Sequence, residues 1–286
     1  MAFLEISFEL RTLDPEQTET LCFALGALSV TYADAKDDPV LEPLPGEFRL
    51  WPSTRLKALF PEDADADVIS AALERTDITV ARIEDKIWER EWLKDFHAMR
   101  FGRRLWVCPH HETVDAPDAV VVRLDPGLAF GTGTHATTAL CLEWLDAHIQ
   151  PGMRVIDFGC GSGVLAVAAV KLGAQEAHGF DIDPQALLAT RENAAVNDVS
   201  QQIKVVESAD DLPAGVDVVV ANILSGPLCD LAPRFASLVR PGGHLVLAGL
   251  MEHEAADVTR AQDACFDMAT FAMREGWAGL SGRRRF

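Results

Sequence analysis

The sequence predicts an α/β protein in two parts, a small α+β domain followed by a larger domain built on a mostly parallel sheet. From about Val120 onward, apolar strand-like runs alternate with helical patterns, which is typical of βαβ units. Within this part, Val155–Gly163 (VIDFGCGSG) is an apolar strand pattern that runs into a glycine-rich turn. Before Val120, shorter patterns follow in the order βαββαβ, which is the order of a ferredoxin-like unit.

The small domain is expected to occupy residues 1–86. Its first strand, Leu4–Leu10, alternates apolar and polar residues, as a half-buried strand does. Asp14 stands directly before the first predicted helix and can accept a hydrogen bond from its backbone. Residues 34–46 contain three prolines and are predicted as a loop. The other predicted elements are helix Pro15–Leu25, strand Leu28–Ala33, strand Arg55–Phe60, helix Ala64–Arg75 and strand Ile78–Ile83.

A segment rich in charge and tryptophan follows the small domain. Ile87–Arg100 (IWEREWLKDFHAMR) is amphipathic, so we predict a helix there that is either a rigid connector or the last helix of the first domain. Residues 87–104 are therefore assigned to a linker helix region.

The larger domain is predicted over residues 105–286. Strands separated by helices need crossover connections, which produce a parallel sheet. The predicted strands are Val155–Phe158, Ala177–Phe180, Ile203–Val206, Val216–Ala221 and His244–Leu250, and the predicted helices are Val164–Leu172, Pro184–Asn197 and Pro227–Leu238.

Composition narrows the class of protein before any motif is considered. The 286 residues are 49% hydrophobic and 24% charged, which argues against a disordered chain. Acidic side chains outnumber basic ones by 44 to 25, for a net charge of -19. That excess argues against charge-driven binding to a nucleic-acid backbone and favours a basic protein partner. Residues 1–50 alone hold ten acidic and three basic side chains.

Several negative features favour a cytoplasmic protein without metal. The six cysteines are scattered and form no CxxC pair, as expected of free thiols in a reducing compartment. The N-terminus has no basic region followed by an apolar stretch, so no signal peptide is expected. No apolar run reaches about 18 residues, so we expect no membrane-spanning helix. His110 and His111 follow Cys108, but no partner stands at the spacing of a zinc site.

The glycine-rich turn and an acidic residue after the next strand point to a nucleoside-containing cofactor. Gly159, Gly161 and Gly163 suit a tight turn that lets a ligand approach the backbone closely. Asp181 lies 22 residues beyond Gly159, where a carboxylate can accept both hydroxyls of a ribose. Asp183, the neighbouring candidate, is better placed to start the helix at Pro184.

These motifs, taken with two longer stretches, resemble a known family. DFGCGSG, GFDID, ANIL and RPGG occur in this order, as in class I S-adenosylmethionine-dependent methyltransferases. Leu124–Thr138 (LDPGLAFGTGTHATT) and Val218–Leu228 (VVVANILSGPL) resemble the ribosomal protein L11 methyltransferase (PrmA) family, and the likeness covers nearly the whole chain. It implies a Rossmann-like domain with a mostly parallel seven-stranded sheet behind the ferredoxin-like domain, which would recognise the substrate.

The resemblance also implies roles for individual residues. Gly159 and Gly161 would pass beneath S-adenosylmethionine, and Asp181 would hold its ribose. Asn222 would sit beside the methyl group and orient the acceptor amine, with Leu224 lining the same mouth. Thr138, Phe130, Gly131 and Thr132 are implied to close over the cofactor.

The implied reaction transfers methyl groups to the α-amine and the lysine ε-amines of ribosomal protein L11, up to trimethylation. The sulfonium already carries a good leaving group, so we expect alignment of a neutral amine and no essential acid–base pair. His135 is either a general base or a loop histidine that only forms hydrogen bonds. We expect a monomer that does not bind nucleic acid directly.

Other functional classes fit less well. A nicotinamide-dependent oxidoreductase would share the glycine turn and the acidic residue, but GxGxxG is absent here, and the single tyrosine, Tyr32, is far from the turn in sequence. A methyltransferase acting on nucleic-acid bases usually has an aromatic motif where this chain has Asn222–Ser225. An RNA or small-molecule methyltransferase, or a non-catalytic binding factor that keeps the cofactor fold, stays open.

Overall fold

The computed structural model describes residues 2–36, 50–84, 97–124 and 135–286. The chain separates into two compact units, Met1–Glu91 and Trp92–Phe286. All six cysteines lie in the described segments and are free thiols, as predicted. Within these segments, no helix is long and apolar enough to cross a membrane.

In its described residues, 2–36 and 50–84, the first unit is a four-stranded antiparallel sheet with two helices. Its strands lie in the order β2-β3-β1-β4, and each predicted element is present with ends shifted by up to three residues. Asp14 caps the first helix by accepting a hydrogen bond of 2.9 Å from the backbone N–H of Gln17. The elements are β1 Ala2–Glu9, α1 Pro15–Ala24, β2 Ser29–Asp34, β3 Thr54–Pro61, α2 Ala66–Ala72 and β4 Thr79–Glu84.

Alternation along the strands buries one face of this sheet. Leu56, Ala58 and Phe60 on β3 are fully buried, and the residues between them are only partly buried. Ile6 on β1 and Cys22 on α1 join the same apolar cluster, so the two helices cover the buried face.

The second unit begins with a small three-stranded sheet that the sequence did not predict. Its strands are β5 Met99–Phe101, β6 Leu105–Cys108 and β7 Val120–Arg123; β5 pairs antiparallel and β7 parallel with β6. The prediction of a helix over Ile87–Arg100 is therefore wrong at its C-terminal end, because Met99 and Arg100 pair with Val107 and Trp106. Residues 87–96 of that segment lie outside the described residues.

The main sheet of the second unit has seven strands in the order β10-β9-β8-β11-β12-β14-β13. The first five run parallel to their neighbours, whereas β14 pairs antiparallel with both β12 and β13. The strands are β8 Arg154–Phe158, β9 Glu176–Phe180, β10 Ile203–Val206, β11 Val216–Asn222, β12 Val239–Met251, β13 Phe266–Arg274 and β14 Trp277–Arg284.

Helices cover both faces of this sheet, with a separate apolar cluster on each. The first helix of the unit was not predicted, because Ala136 through Leu142 are all buried and so show no polar stripe. The last helix and the β13–β14 hairpin were not predicted either. The helices are α3 Ala136–His148, α4 Val164–Lys171, α5 Pro184–Val196, α6 Ser225–Asp230, α7 Ala232–Leu238 and α8 Ala255–Gln262.

The prediction of one helix over Pro227–Leu238 is wrong, because α6 and α7 are separate and meet at Leu231. Pro233 stands in the first turn of α7, where its missing N–H costs nothing. In an unbroken helix the same proline would remove a hydrogen bond and clash with the preceding turn.

Candidate functional site

Those site residues predicted from sequence that the structure describes lie at the carboxyl ends of central strands of the seven-stranded sheet. Strands β9, β8 and β11 are adjacent and parallel, so their carboxyl ends lie side by side. After β8 the chain forms β9 on one side of β8, and it later returns to form β11 on the other side of β8. In open α/β sheets, ligands bind in the crevice outside such a reversal of strand order.

The turn after β8 has a backbone that glycine adopts readily. Gly159, Gly161 and Gly163 have φ values of 79°, 52° and 77°, in the left-handed region that most residues avoid. The N–H groups of Gly159 and Cys160 both donate to the carbonyl of Phe180, at 2.8 and 3.0 Å. The turn is thereby fastened to the end of β9.

Asp181 links this turn to the segment that follows β9. One carboxylate oxygen accepts the N–H of Gly161 at 2.9 Å, and the other accepts the N–H of Asp183 at 3.0 Å. Asp183 in turn caps α5 by accepting from the N–H of Gln185 at 2.9 Å, as predicted. A carboxylate has about four acceptor sites, so Asp181 has acceptor capacity beyond these two bonds.

Two side chains of α5 donate hydrogen bonds to backbone carbonyl groups of the turn. Thr190 is fully buried and donates to the carbonyl of Gly161 at 3.1 Å. Asn193 donates to the carbonyl of Ser162 at 2.8 Å. Sequence analysis did not identify either residue, because nothing in the pattern of α5 distinguishes them from other buried or polar helix positions.

Asp157, on β8 directly behind the turn, is a completely buried carboxyl group. One oxygen accepts the N–H of Ala166 in α4 at 3.0 Å; the other has no hydrogen-bond partner among the described residues. Burial raises the pKa of Asp157 well above its usual range, the Ala166 bond opposes this, and the charge of Asp181 raises the pKa further. An acidic residue in an otherwise apolar strand was the available signal for this group.

Cys160 lies within the turn, but its thiol is unsuited to nucleophilic catalysis. Burial, followed by the charge of Asp157, raises its pKa to about 12. The thiolate is the reactive form of cysteine, and almost none is present at neutral pH. No three His, Cys, Asp or Glu side chains in the described segments are grouped to hold a metal, and this includes His110 and His111.

Asn222 and Thr138 come together although 84 positions separate them in sequence. The Asn222 amide nitrogen lies 3.3 Å from the Thr138 hydroxyl oxygen. Asn222 is the last residue of β11, and Thr138 is buried in the first turn of α3. Leu224 follows Asn222 and remains 51% exposed, so an apolar side chain borders the site on its open side.

His135 is the N-cap residue of α3. Its Nδ1 accepts the N–H of Thr137 at 3.3 Å and lies 2.8 Å from the Thr137 hydroxyl. Its ring meets the ring of Trp277 edge to face at 4.9 Å between centroids. Phe130, Gly131 and Thr132, which were also predicted to contact a cofactor, lie outside the described residues.

Comparison with known proteins gives one consistent result. The family model described as ribosomal protein L11 methyltransferase (PrmA) matches residues 2–285. A ribosomal protein L11 methyltransferase of Vibrio cholerae is 52% identical over 91% of this chain and 90% of its own length. One from Aliivibrio fischeri is 46% identical over the full length of both.

A solved structure agrees with these sequence relatives. The crystal structure of ribosomal protein L11 methylase from Lactobacillus delbrueckii subsp. bulgaricus is 32% identical, with a TM-score of 0.62. The match covers 67% of this chain and all of that one. The α/β fold of the second unit is accordingly that of a class I methyltransferase.

Proposed function

The chain belongs to the ribosomal protein L11 methyltransferase (PrmA) family, and from that premise we propose how the site at the end of β8, β9 and β11 performs the reaction. The activity is methylation of ribosomal protein L11, with S-adenosylmethionine as the methyl donor. The residue roles and the choice of amines below are our proposal.

The glycine turn and Asp181 fit the nucleoside part of S-adenosylmethionine. Gly159 and Gly161 are partly exposed and have no side chains, so a ligand can approach their backbone closely. The acceptor capacity left on Asp181 suits the two ribose hydroxyls, because each is a donor. Thr138 and Asn222 would adjoin the other end of the ligand, and Phe130, Gly131 and Thr132 would cover it.

When bound, the cofactor supplies a methyl group on a positively charged sulfur that is a good leaving group. Asn222 and Thr138, held 3.3 Å apart, would align the acceptor nitrogen with the methyl–sulfur bond. Leu224 would exclude water from one side of the acceptor. Alignment of this kind lowers the barrier because orientation is already established before the reaction.

The acceptor amine must be neutral, since its lone pair forms the new bond. An α-amine has a pKa of about 7.7–8.0, and a lysine has one of about 10.4. An apolar mouth disfavours the charged form of both, which reduces the need for a general base. We propose that the α-amine and lysine ε-amines are both acceptors, and that repeated transfer leads to trimethylation.

The first unit suits recognition of the substrate protein. Its strand order, β2-β3-β1-β4 with two helices on one face, supports the assignment of a ferredoxin-like domain. The excess of acidic side chains in residues 1–50 would attract lysine-rich L11. We propose a recognition domain at residues 1–86 and a catalytic domain at 105–286, to which β5 of the connecting segment 87–104 also belongs because it pairs with β6. The two domains would take different relative orientations for different target amines. We further propose a cytoplasmic monomer that does not bind nucleic acid directly.

The hydrogen bonds of Asp181 to the glycine turn carry the cofactor assignment, and an Asp181→Ala variant tests it. Loss of two charge-assisted bonds to the ribose should weaken S-adenosylmethionine binding about a hundredfold, measured by calorimetry. Asp183→Asn is the matched control. Asparagine still caps α5, so this variant should bind within about threefold of the wild type.

Transfer of labelled methyl groups to purified L11 should fall with the affinity of the Asp181→Ala variant at low cofactor concentration. Undiminished binding by this variant would show that the ribose lies elsewhere. Intact mass and peptide mapping of the methylated L11 would identify the amines, and modification of lysines without the α-amine would contradict the proposed choice.

A further inference from the structure

The segment Asn222–Ser225, which begins with the last residue of β11, packs closely against two glycines at Ile223. A Cβ on Gly159 would overlap the Cγ2 of Ile223, and a Cβ on Gly249 would overlap the Ile223 backbone. Gly249 has a φ of 85° and lies in β12 where its pairing with β14 shifts register between Leu247 and Leu250. Ile223, which stays partly exposed, thus lies between the glycine turn after β8 and β12.

The carboxylate of Glu254, shortly after the end of β12, binds Ser225. The Ser225 hydroxyl donates to one oxygen of Glu254 at 2.5 Å, and the backbone N–H of Met251 donates to the other at 2.7 Å. Glu254 therefore joins the start of α6 to the end of β12. Both oxygens are engaged, so the carboxylate cannot turn without losing a bond.

A second contact holds α6 against α8 further along. The buried side chain of Gln262 donates to the carbonyl of Leu228 at 2.8 Å. This contact lies one helical turn beyond Leu224, whose carbonyl accepts the N–H of Leu228 at 3.1 Å. At the end of α6 nearest Asn222, no side chain caps the backbone. Ser225–Glu254 is accordingly the side-chain tie there within the described residues.

We propose that Glu254, acting through Ser225, is a positioning residue for methyl transfer. The proposal rests on the proposed function of the site. Asn222 pairs with β12 through Ala248 but has no partner on β8, whose pairing with β11 ends at Ala221. The chain after Asn222 therefore depends on Ile223 and Ser225 for its position. When Ser225 loses its hydrogen bond to Glu254, Asn222 moves away from Thr138. Leu224 then also moves away from the acceptor amine.

The experiment uses the full-length enzyme with Ser225→Ala, Ser225→Thr, Glu254→Gln and the double variant. Glutamine can accept only one of the two donors through its oxygen, whereas alanine removes the hydroxyl alone. We expect kcat for L11 to fall about tenfold in Ser225→Ala and Glu254→Gln, the equivalent of one charge-assisted hydrogen bond. The Kd for S-adenosylmethionine should rise by less than kcat falls, because Asp181 and the glycine turn are intact and only the end of the ligand beside Asn222 and Thr138 is disturbed.

The other variants separate positioning from general damage. Ser225→Thr keeps the hydroxyl and should retain kcat within about twofold. The double variant should be no slower than Glu254→Gln, because both changes remove the same contact. Glu252→Gln, an exposed carboxylate on the same turn, is the matched control and should behave as the wild type.

Amide hydrogen exchange at residues 223–226 of the free enzyme tests the tie without L11. Faster exchange in Ser225→Ala and Glu254→Gln, but not in Glu252→Gln, is expected. If wild-type enzyme methylates L11 and both variants keep its kcat and its exchange rates, the positioning role is overturned. If wild-type enzyme does not methylate L11, the proposed function fails, and the exchange rates alone decide whether Glu254 holds the segment.

Discussion

Asp181 and His135 each make hydrogen bonds to backbone N–H groups, and those bonds limit what the side chain can do. Asp181 accepts from Gly161 and Asp183, so its carboxylate is oriented before any ligand arrives. His135 accepts the N–H of Thr137 through Nδ1, which makes it a helix cap. A nitrogen used in this way is unavailable to take a proton from the acceptor amine unless the cap is broken.

Substitution of His135 separates the two roles that the sequence left open. Asparagine is a strong N-cap residue, whereas alanine is a weak one. We expect His135→Asn to retain kcat within about tenfold and His135→Ala to lose about 1 kcal/mol of stability, measured by denaturant unfolding. An essential base would give a different result: both variants would lose several orders of magnitude in kcat at every pH while binding cofactor normally.

At the scale of elements, the turn between β8 and α4 is both the proposed cofactor-binding turn and the start of α4. Helix α4 begins at a glycine without a capping side chain, so its first N–H groups need other partners. Asp157 accepts from Ala166, and the Ser162 hydroxyl lies 3.4 Å from the N–H of Val164. The N–H groups at the start of α4 thus have partners on the protein side of the turn. No capping side chain has to occupy the side that would face the cofactor.

A substitution at Gly163 tests how closely this turn packs against α5. A Cβ there would lie 2.7 Å from Thr190 Cγ2, at a φ of 77°. Gly163→Ala should lose at least about 2 kcal/mol of stability through backbone strain and overpacking, and cofactor affinity should fall with it. Thermal unfolding and calorimetry measure the two effects.

Gly152→Ala provides the matched control, because Gly152 has a φ of 87° but no atom within 4 Å of the added Cβ. It should show the backbone strain alone, with normal cofactor affinity. Adding Thr190→Ser to Gly163→Ala should recover part of the loss, because serine removes the Cγ2 that meets the new Cβ and keeps the hydroxyl that binds Gly161. Equal losses in the Gly152 and Gly163 variants would mean that contact with Thr190 is unimportant.

At the scale of the whole molecule, the net charge of -19 bears on the encounter with the substrate. Charges farther apart than about 10 Å are largely screened at 0.1 M salt. Added salt therefore weakens the long-range attraction that brings a basic protein to the enzyme. It has much less effect on a cofactor that is held by direct hydrogen bonds.

Salt should therefore change the two substrates differently. Between 50 and 300 mM KCl we expect the KM for L11 to rise about tenfold or less, and the KM for S-adenosylmethionine to change little. Steady-state kinetics with each substrate varied in turn measures both. A KM for L11 that is independent of salt would exclude a recognition role for the acidic excess.

Local patterns were sufficient wherever neighbouring residues alone determine the structure. Asp14 and Asp183 were identified as helix caps from sequence, and the structure confirms both. The strands of the first unit and β8 to β12 follow from apolar runs. Patterns failed where burial is uniform, as in α3, and where a single proline divides a helical pattern, as between α6 and α7.

The sequence by itself determined the family, the glycine turn and the acidic residue after β9, because each is a short motif whose chemistry depends on residue type. The tertiary structure alone decided which distant residues meet. Thr138 reaches Asn222, Thr190 supports Gly161, and Glu254 holds Ser225. Such contacts depend on strand order and helix placement, and these are set by packing of the whole sheet, which a local pattern does not record.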